Sequence, residues 1–345
     1  MTDGSNIVSG KYFPKKLLLI LKSLKMKLLF GFLIFLTFFS VSDAAIRSDQ
    51  AIKEVYRHSY GIIISRDEWI RRGKDGSITK LLKDGTTVSE SYFQGLLNGE
   101  VIVSYPHSAT IALREQYEHG VLLSRRHFFI NGLPKQEEIF NSDGSIIISS
   151  WKDDDIAHTP PFITETFSDR KLISGTYITP VGEKVHIVDG EGIRPCYSAQ
   201  GELLSEEAFN QGSLVRKTSY YPNRDPASVT QYQNGVIHGI RQTFFLGGIP
   251  NTLEEWRNGI QDGVTFVFKN GHRVADIPFV KGIRKGMEIR YNDKFEIVEE
   301  VSWKNNQLHG TRKIYNQGTL KKEWYHQGKP VSKAKFERLN FKATS

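Results

Sequence analysis

The chain has 345 residues, 46 Lys and Arg against 38 Asp and Glu, and a formal net charge of +8. Residues 1–44 hold six of the Lys and two of the Asp, so the remainder carries 40 basic against 36 acidic residues, a mixed balance that argues against nucleic acid as a partner. A single cysteine, Cys196, excludes an intrachain disulfide framework.

The first 25 residues carry Lys11, Lys15, Lys16, Lys22 and Lys25 around a short apolar stretch from Leu17 to Leu21, and Met26-Lys27 leads into an apolar run from Leu28 to Phe39, followed by Ser42 and Ala44. A charged lead, a short apolar core and small residues before Ala45 predict a secretory signal peptide over 1–44. Met26 stands as a second candidate start, and an uncleaved inner-membrane anchor is the alternative. Residues 45–68 read as a lead-in, with Tyr60 to Ser65 able to form one strand.

From Trp69 a loose pattern of turns and aromatics begins, with Asp75-Gly76 and Asp84-Gly85 as turns. It sharpens at Tyr92-Phe-Gln-Gly95-Leu-Leu-Asn-Gly99 and Tyr117-Glu-His-Gly120, giving a first repeat sub-array over 69–151. Residues 152–161, with Pro160-Pro161, are expected to interrupt it as a loop. The second sub-array, 162–330, starts with degenerate copies. Phe167 and Arg170 stand in the aromatic and first-Gly positions, and Phe209-Asn-Gln-Gly212 restores the motif.

The motif is clearest in four copies led by Tyr232, Trp256, Phe279 and Trp303, spaced 24, 23 and 24 residues apart, with a truncated fifth at Tyr325. Their turn residues are Gly235 and Gly239, Gly259 and Gly263, Gly282 and Gly286, and Gly310. After Gly263, Val264, Phe266 and Phe268 alternate with Thr265 and Val267, the period of a strand. Two short strands and two turns per period predict an all-β fold, an elongated antiparallel meander of repeated β-hairpins. A basic tail, 331–345, ends the chain.

The aromatic three before the first Gly, the second Gly four later and an aromatic five beyond (Phe244, Phe268, Tyr291, Tyr315) resemble the MORN-repeat variant of bacterial YwqK-like proteins. That resemblance implies a repeat architecture and little about activity.

No histidine pair has metal spacing; His238 and His309 occupy a turn position that is Asn98, Asp262 or Lys285 elsewhere, so Asn is expected to replace either His without effect. Asp153, Asp154 and Asp155 lack the Gly-centred loop and distal Glu of a calcium site. Gly190-Glu-Gly192 lacks the Lys and following helix of a phosphate loop. Neither cofactor, metal site nor catalytic constellation is expected. A Glu two residues before the leading aromatic recurs as Glu90, Glu115, Glu138, Glu165, Glu207, Glu254 and Glu323. Residues i and i+2 of a strand share a face, so these carboxylates should form either a cross-strand ladder with Lys and Arg or an acidic stripe that receives a partner. The aromatic column should supply most of the core. The expected function is that of an exported, non-enzymatic, protein-binding or scaffold surface; peripheral association with a membrane surface is the alternative.

Overall fold

The computed structural model describes residues 51–153, 159–316 and 318–344. The signal segment and its expected cleavage point before Ala45 lie outside the described residues, as do Asp154 and Asp155. The described residues form one open antiparallel sheet of 27 strands, from Ala51–His58 to Lys329–Val331, each long strand pairing with the one before and after it. The all-β hairpin meander expected from the repeat is therefore the fold.

The hairpins turn alternately at two edges. At one edge, two-residue turns have positive φ at both central residues, as at Asn234–Gly235 (51° and 77°) and Asn258–Gly259 (49° and 77°). Such turns match the right-handed twist of the flanking strands. Where glycine is missing the turn persists: Asp169–Arg170 has φ 48° and 64°, which places Arg170 in the first-Gly position as the sequence suggests. At the other edge most turns are longer, and Asn or Asp side chains accept from backbone N–H two residues on. Asp84, Asn131 and Asn223 do so at 2.9–3.1 Å.

The sheet runs unbroken across the expected interruption. Ile163 pairs with Ser150 and Glu165 with Ile148, so residues 151–162 connect two strands of one sheet. The degenerate middle holds the best-packed cluster, Leu172, Tyr177 and Ile187, with Phe167 and Phe209 against it.

Each end carries a helix. In the lead-in, helix α1 (Arg66–Arg71) follows the strand Ala51–His58 and is started by a capping box between Ser65 and Glu68. Trp69 lies on this helix, not on a repeat strand, and is buried between Tyr56 and Tyr92 at ring distances of 5.9 and 6.0 Å. In the basic tail, helix α2 (Lys333–Thr344) sets Phe336 5.0 Å from Trp324 and 5.5 Å from His309.

Candidate binding surface

The spacing of the repeat has a direct geometric reason. The second Gly of each copy lies directly across from the leading aromatic of the next: Gly239 from Trp256, Gly263 from Phe279, Gly286 from Trp303, and Gly310 from Tyr325. The space a Cβ would take there is filled by the side chain just before the copy's own leading aromatic, Gln231, Glu255, Pro278 or Ser302. These glycines also have φ between 96° and 139°, a region that only glycine occupies freely. The first glycines, Gly235, Gly259 and Gly282, have φ of 76° to 77° and form the short turns. The same turns lock one another, because Gly259 N–H donates to Ile237 O (2.8 Å) and Gly282 N–H to Gln261 O (2.7 Å).

The turn position held by His238 and His309 is not merely solvated. Asn258 N–H donates to His238 Nδ1 (3.3 Å), Gln327 N–H to His309 Nδ1 (3.4 Å), and His119 N–H to Asn98 Oδ1 (3.0 Å). Asn, Asp and His interchange because each offers an acceptor at a similar reach from the backbone. Lys285 offers none, and there the bond reverses, Arg284 N–H donating to Asn306 Oδ1 at 2.7 Å.

The recurring glutamates form the cross-strand ladder, on the same face as the leading aromatics. Across the strands the row reads Glu90, Val101, Glu115, Arg125, Glu138, Ile148, Glu165. It resumes as Arg194, Glu207, Lys217, Thr230, Arg241, Glu254. At the far end come Glu288, Val301, Arg312 and Glu323. Glu165 and Glu207 are 3% and 4% exposed, and Arg194 bridges them at 3.0 and 2.5 Å while Lys217 reaches Glu207 at 2.8 Å. Gly175, opposite Glu165, leaves room for the Tyr177 ring, whose hydroxyl donates to that carboxylate at 2.7 Å.

Several leading aromatics serve the carboxylate two residues before them. Tyr92 Oη donates to Glu90 (2.9 Å), Tyr117 Oη to Glu115 (3.2 Å), Trp256 Nε1 to Glu254 (2.8 Å) and Tyr325 Oη to Glu323 (3.1 Å). Burial and the Glu115 carboxylate push the Tyr117 hydroxyl up to about 12. Where Ile277 precedes Phe279 no donor is needed. Val301 precedes Trp303, and the Trp303 indole N–H is buried without a hydrogen-bond partner among the described residues, as is one oxygen of Glu288.

Burial prevails at some carboxylates and is overcome at others. At Glu207 burial raises the pKa, but Arg194 and Lys217 outweigh it and hold the carboxyl below its usual range. At Glu138 burial prevails, since Arg125 is 3.9 Å away, and the carboxyl is pushed up.

The aromatic column does not supply the buried core. Tyr232, Trp256, Phe279, Trp303 and Tyr325 are each half-buried, whereas the most buried row is the ladder itself with Val101, Ile148, Thr230, Thr265 and Val301. A single sheet has solvent on both sides, so only the middle of each strand is covered by neighbours on every side. The second aromatic set lies towards the long-turn edge, and Tyr291 and Tyr315 donate to Asp276 (2.7 Å) and Glu300 (3.3 Å) on the opposite face.

The fold and this surface define a class, a single-layer β-hairpin repeat array with a charged internal row. No family model matches the chain, and no curated protein matches it. Among the described residues no group of His, Cys, Asp and Glu is arranged to hold a metal ion, and no helix is long and apolar enough to cross a membrane.

Proposed function

We propose that this chain is an exported, non-enzymatic scaffold whose long surface holds a protein partner. The observation that carries the reading is how the polar groups of the ladder face are used. Its most buried carboxylates are bound by Arg, Lys, Tyr or Trp of the same sheet, which suits a structural row rather than proton transfer. What is offered outward is a set of turn tips and strand faces repeated about every 10 Å, two strands at about 4.8 Å each. Extended repeated surfaces of this kind suit protein partners.

The experiment is recovery of the protein from its native host after cross-linking, with N-terminal sequencing and vesicle sedimentation alongside. The reading expects a chain beginning at Ala45, found outside the cytoplasm, with a protein cross-linked in stoichiometric amount. An unprocessed cytoplasmic chain would sink the export reading. Sedimentation with anionic vesicles and no protein partner would replace the scaffold with a membrane-surface function.

A further inference from the structure

The short-turn edge is polarised in charge along its length, in a way that the interior ladder is not. Towards the amino-terminal end its tips carry Glu118, Asp143, and the pair Asp189 and Glu191, all exposed. Two tips in the middle, at Gln211–Gly212 and Asn234–Gly235, carry no charge. Towards the carboxy-terminal end the tips carry Arg257, then Lys281 with Lys285, then Lys304, then Lys329, again all exposed. Three places depart from the trend: exposed Lys74 lies beside the Gly95 tip, Asp169 is followed by Arg170 and Lys171, and Asp262 holds Lys285's turn position beside Arg257.

Interior charges and edge charges are treated differently. Arg125, Arg194, Lys217, Arg241 and Arg312 are all paired within the sheet. Among the described residues none of the edge charges named above has an intramolecular ion-pair partner. Beside them, Val188, Val236, Ile260 and Ile283 are exposed on the same tips. An edge that is acidic at one end, neutral in the middle and basic at the other is complementary to itself when turned end for end.

We propose that two copies of this chain associate antiparallel along their short-turn edges, about a two-fold axis near the uncharged tips at Gln211 and Asn234. In such an isologous contact Asp189 and Glu191 meet Arg257, Asp143 meets Lys304 and Glu118 meets Lys329, while Lys281 and Lys285 face the mixed tip at Asp169, Arg170 and Lys171. Both copies have the same tip spacing of about 10 Å, so the tips of one copy fall against the tips of the other. The apolar residues on the tips then lose solvent together, while the flanking charges set the register. This inference stands apart from the proposed partner: a scaffold could hold its partner as monomer or dimer.

The tips also supply substitutions that the fold already tolerates. Glu118 occupies the same turn position as Arg257, Asp189 the same as Lys281, and Glu191 the same as Lys329. One variant makes the acidic half basic (Glu118→Lys, Asp189→Lys, Glu191→Lys); another makes the basic half acidic (Arg257→Glu, Lys281→Asp, Lys329→Glu). Sedimentation velocity on the full chain should show a dimer for the parent, weakened by added salt. Each variant alone should dimerise about a hundredfold or more weakly, because like charges then face one another. An equimolar mixture of the two should recover a heterodimer, and the chain carrying all six changes should dimerise again. Circular dichroism confirms that each variant keeps the sheet. A parent monomeric at low salt, a dimer that both reversals leave intact, or a mixture that stays monomeric would each overturn the proposal.

Discussion

Glycine does two jobs in each hairpin, and they differ in what a side chain would cost. At Gly259, φ is 77° and an added Cβ would meet only Val236, at 3.9 Å. At Gly263, φ is 139° and the same atom would overlap the Glu255 side chain. Gly259→Ala should therefore cost about 1 kcal/mol, the penalty of the left-handed region alone, and Gly263→Ala about 3 kcal/mol. Denaturant melts decide this, and equal losses would refute the distinction. The tryptophans make a second contrast. Trp256→Phe removes a hydrogen bond to the buried Glu254 carboxylate and should cost about 2 kcal/mol. Trp303→Phe removes an indole N–H that has no partner and should cost less than about 0.5 kcal/mol. At this scale the sequence was informative. The recurrence of Gly-x-x-x-Gly showed where the short turns fall at its first Gly, whereas the second, also expected in a turn, lies in a strand. It could not show that the second Gly faces the next repeat's aromatic, because that depends on strand register.

At the scale of the hairpin, stability comes from a charged row where a two-layer protein would have an apolar core. A buried ion pair strengthens its element only when both partners are in place, and losing one leaves the other stranded. Glu207 is held by two cations, so its folded pKa lies below the unfolded value. Its stabilisation is present above the ordinary carboxylate range and is lost as pH falls through the lowered folded value. Glu138 has the opposite sign: its ionised form is disfavoured in the fold, and that cost disappears as pH falls below its raised value. At neutral pH, Glu207→Gln should lose about 3 kcal/mol, whereas Glu138→Gln should change stability by less than about 0.5 kcal/mol or raise it. Urea melts of the two variants measure this directly. The recurring Glu was legible in the sequence, two residues before each aromatic. Its partners were harder to see. Arg194, Arg241 and Arg312 all stand two residues after a second-position Gly, but Val101 and Thr265 hold the same place in other copies. Glu288 even inverts the sign there, which leaves Trp303 beside a valine.

At the scale of the whole molecule, the question is whether the repeats form one body. The Pro-Pro segment after Lys152 suggested two sub-arrays, because proline cannot sit in a central strand. The structure avoids the conflict by placing Pro160 and Pro161 outside the ladder, so the strands Ile146–Ser150 and Ile163–Ser168 still pair. The ends were the least legible part. Neither the six-residue helix α1 nor the helix α2 announces itself by spacing, yet each sets one large ring, Trp69 or Phe336, against the terminal strands. Capping of this kind is what a one-dimensional array requires, since its last units have a neighbour on one side only. The ladder that crosses the loop between Ile148 and Glu165 joins the repeats into a single sheet from end to end. Amide hydrogen exchange followed by mass spectrometry tests it most directly. In a single sheet the amides of Ile146–Ser150 and Ile163–Ser168 exchange as slowly as those of Ile111–Glu118 and Leu203–Asn210. Fast exchange confined to those two strands, with both flanks still protected, would show two separate arrays on a tether and would contradict it.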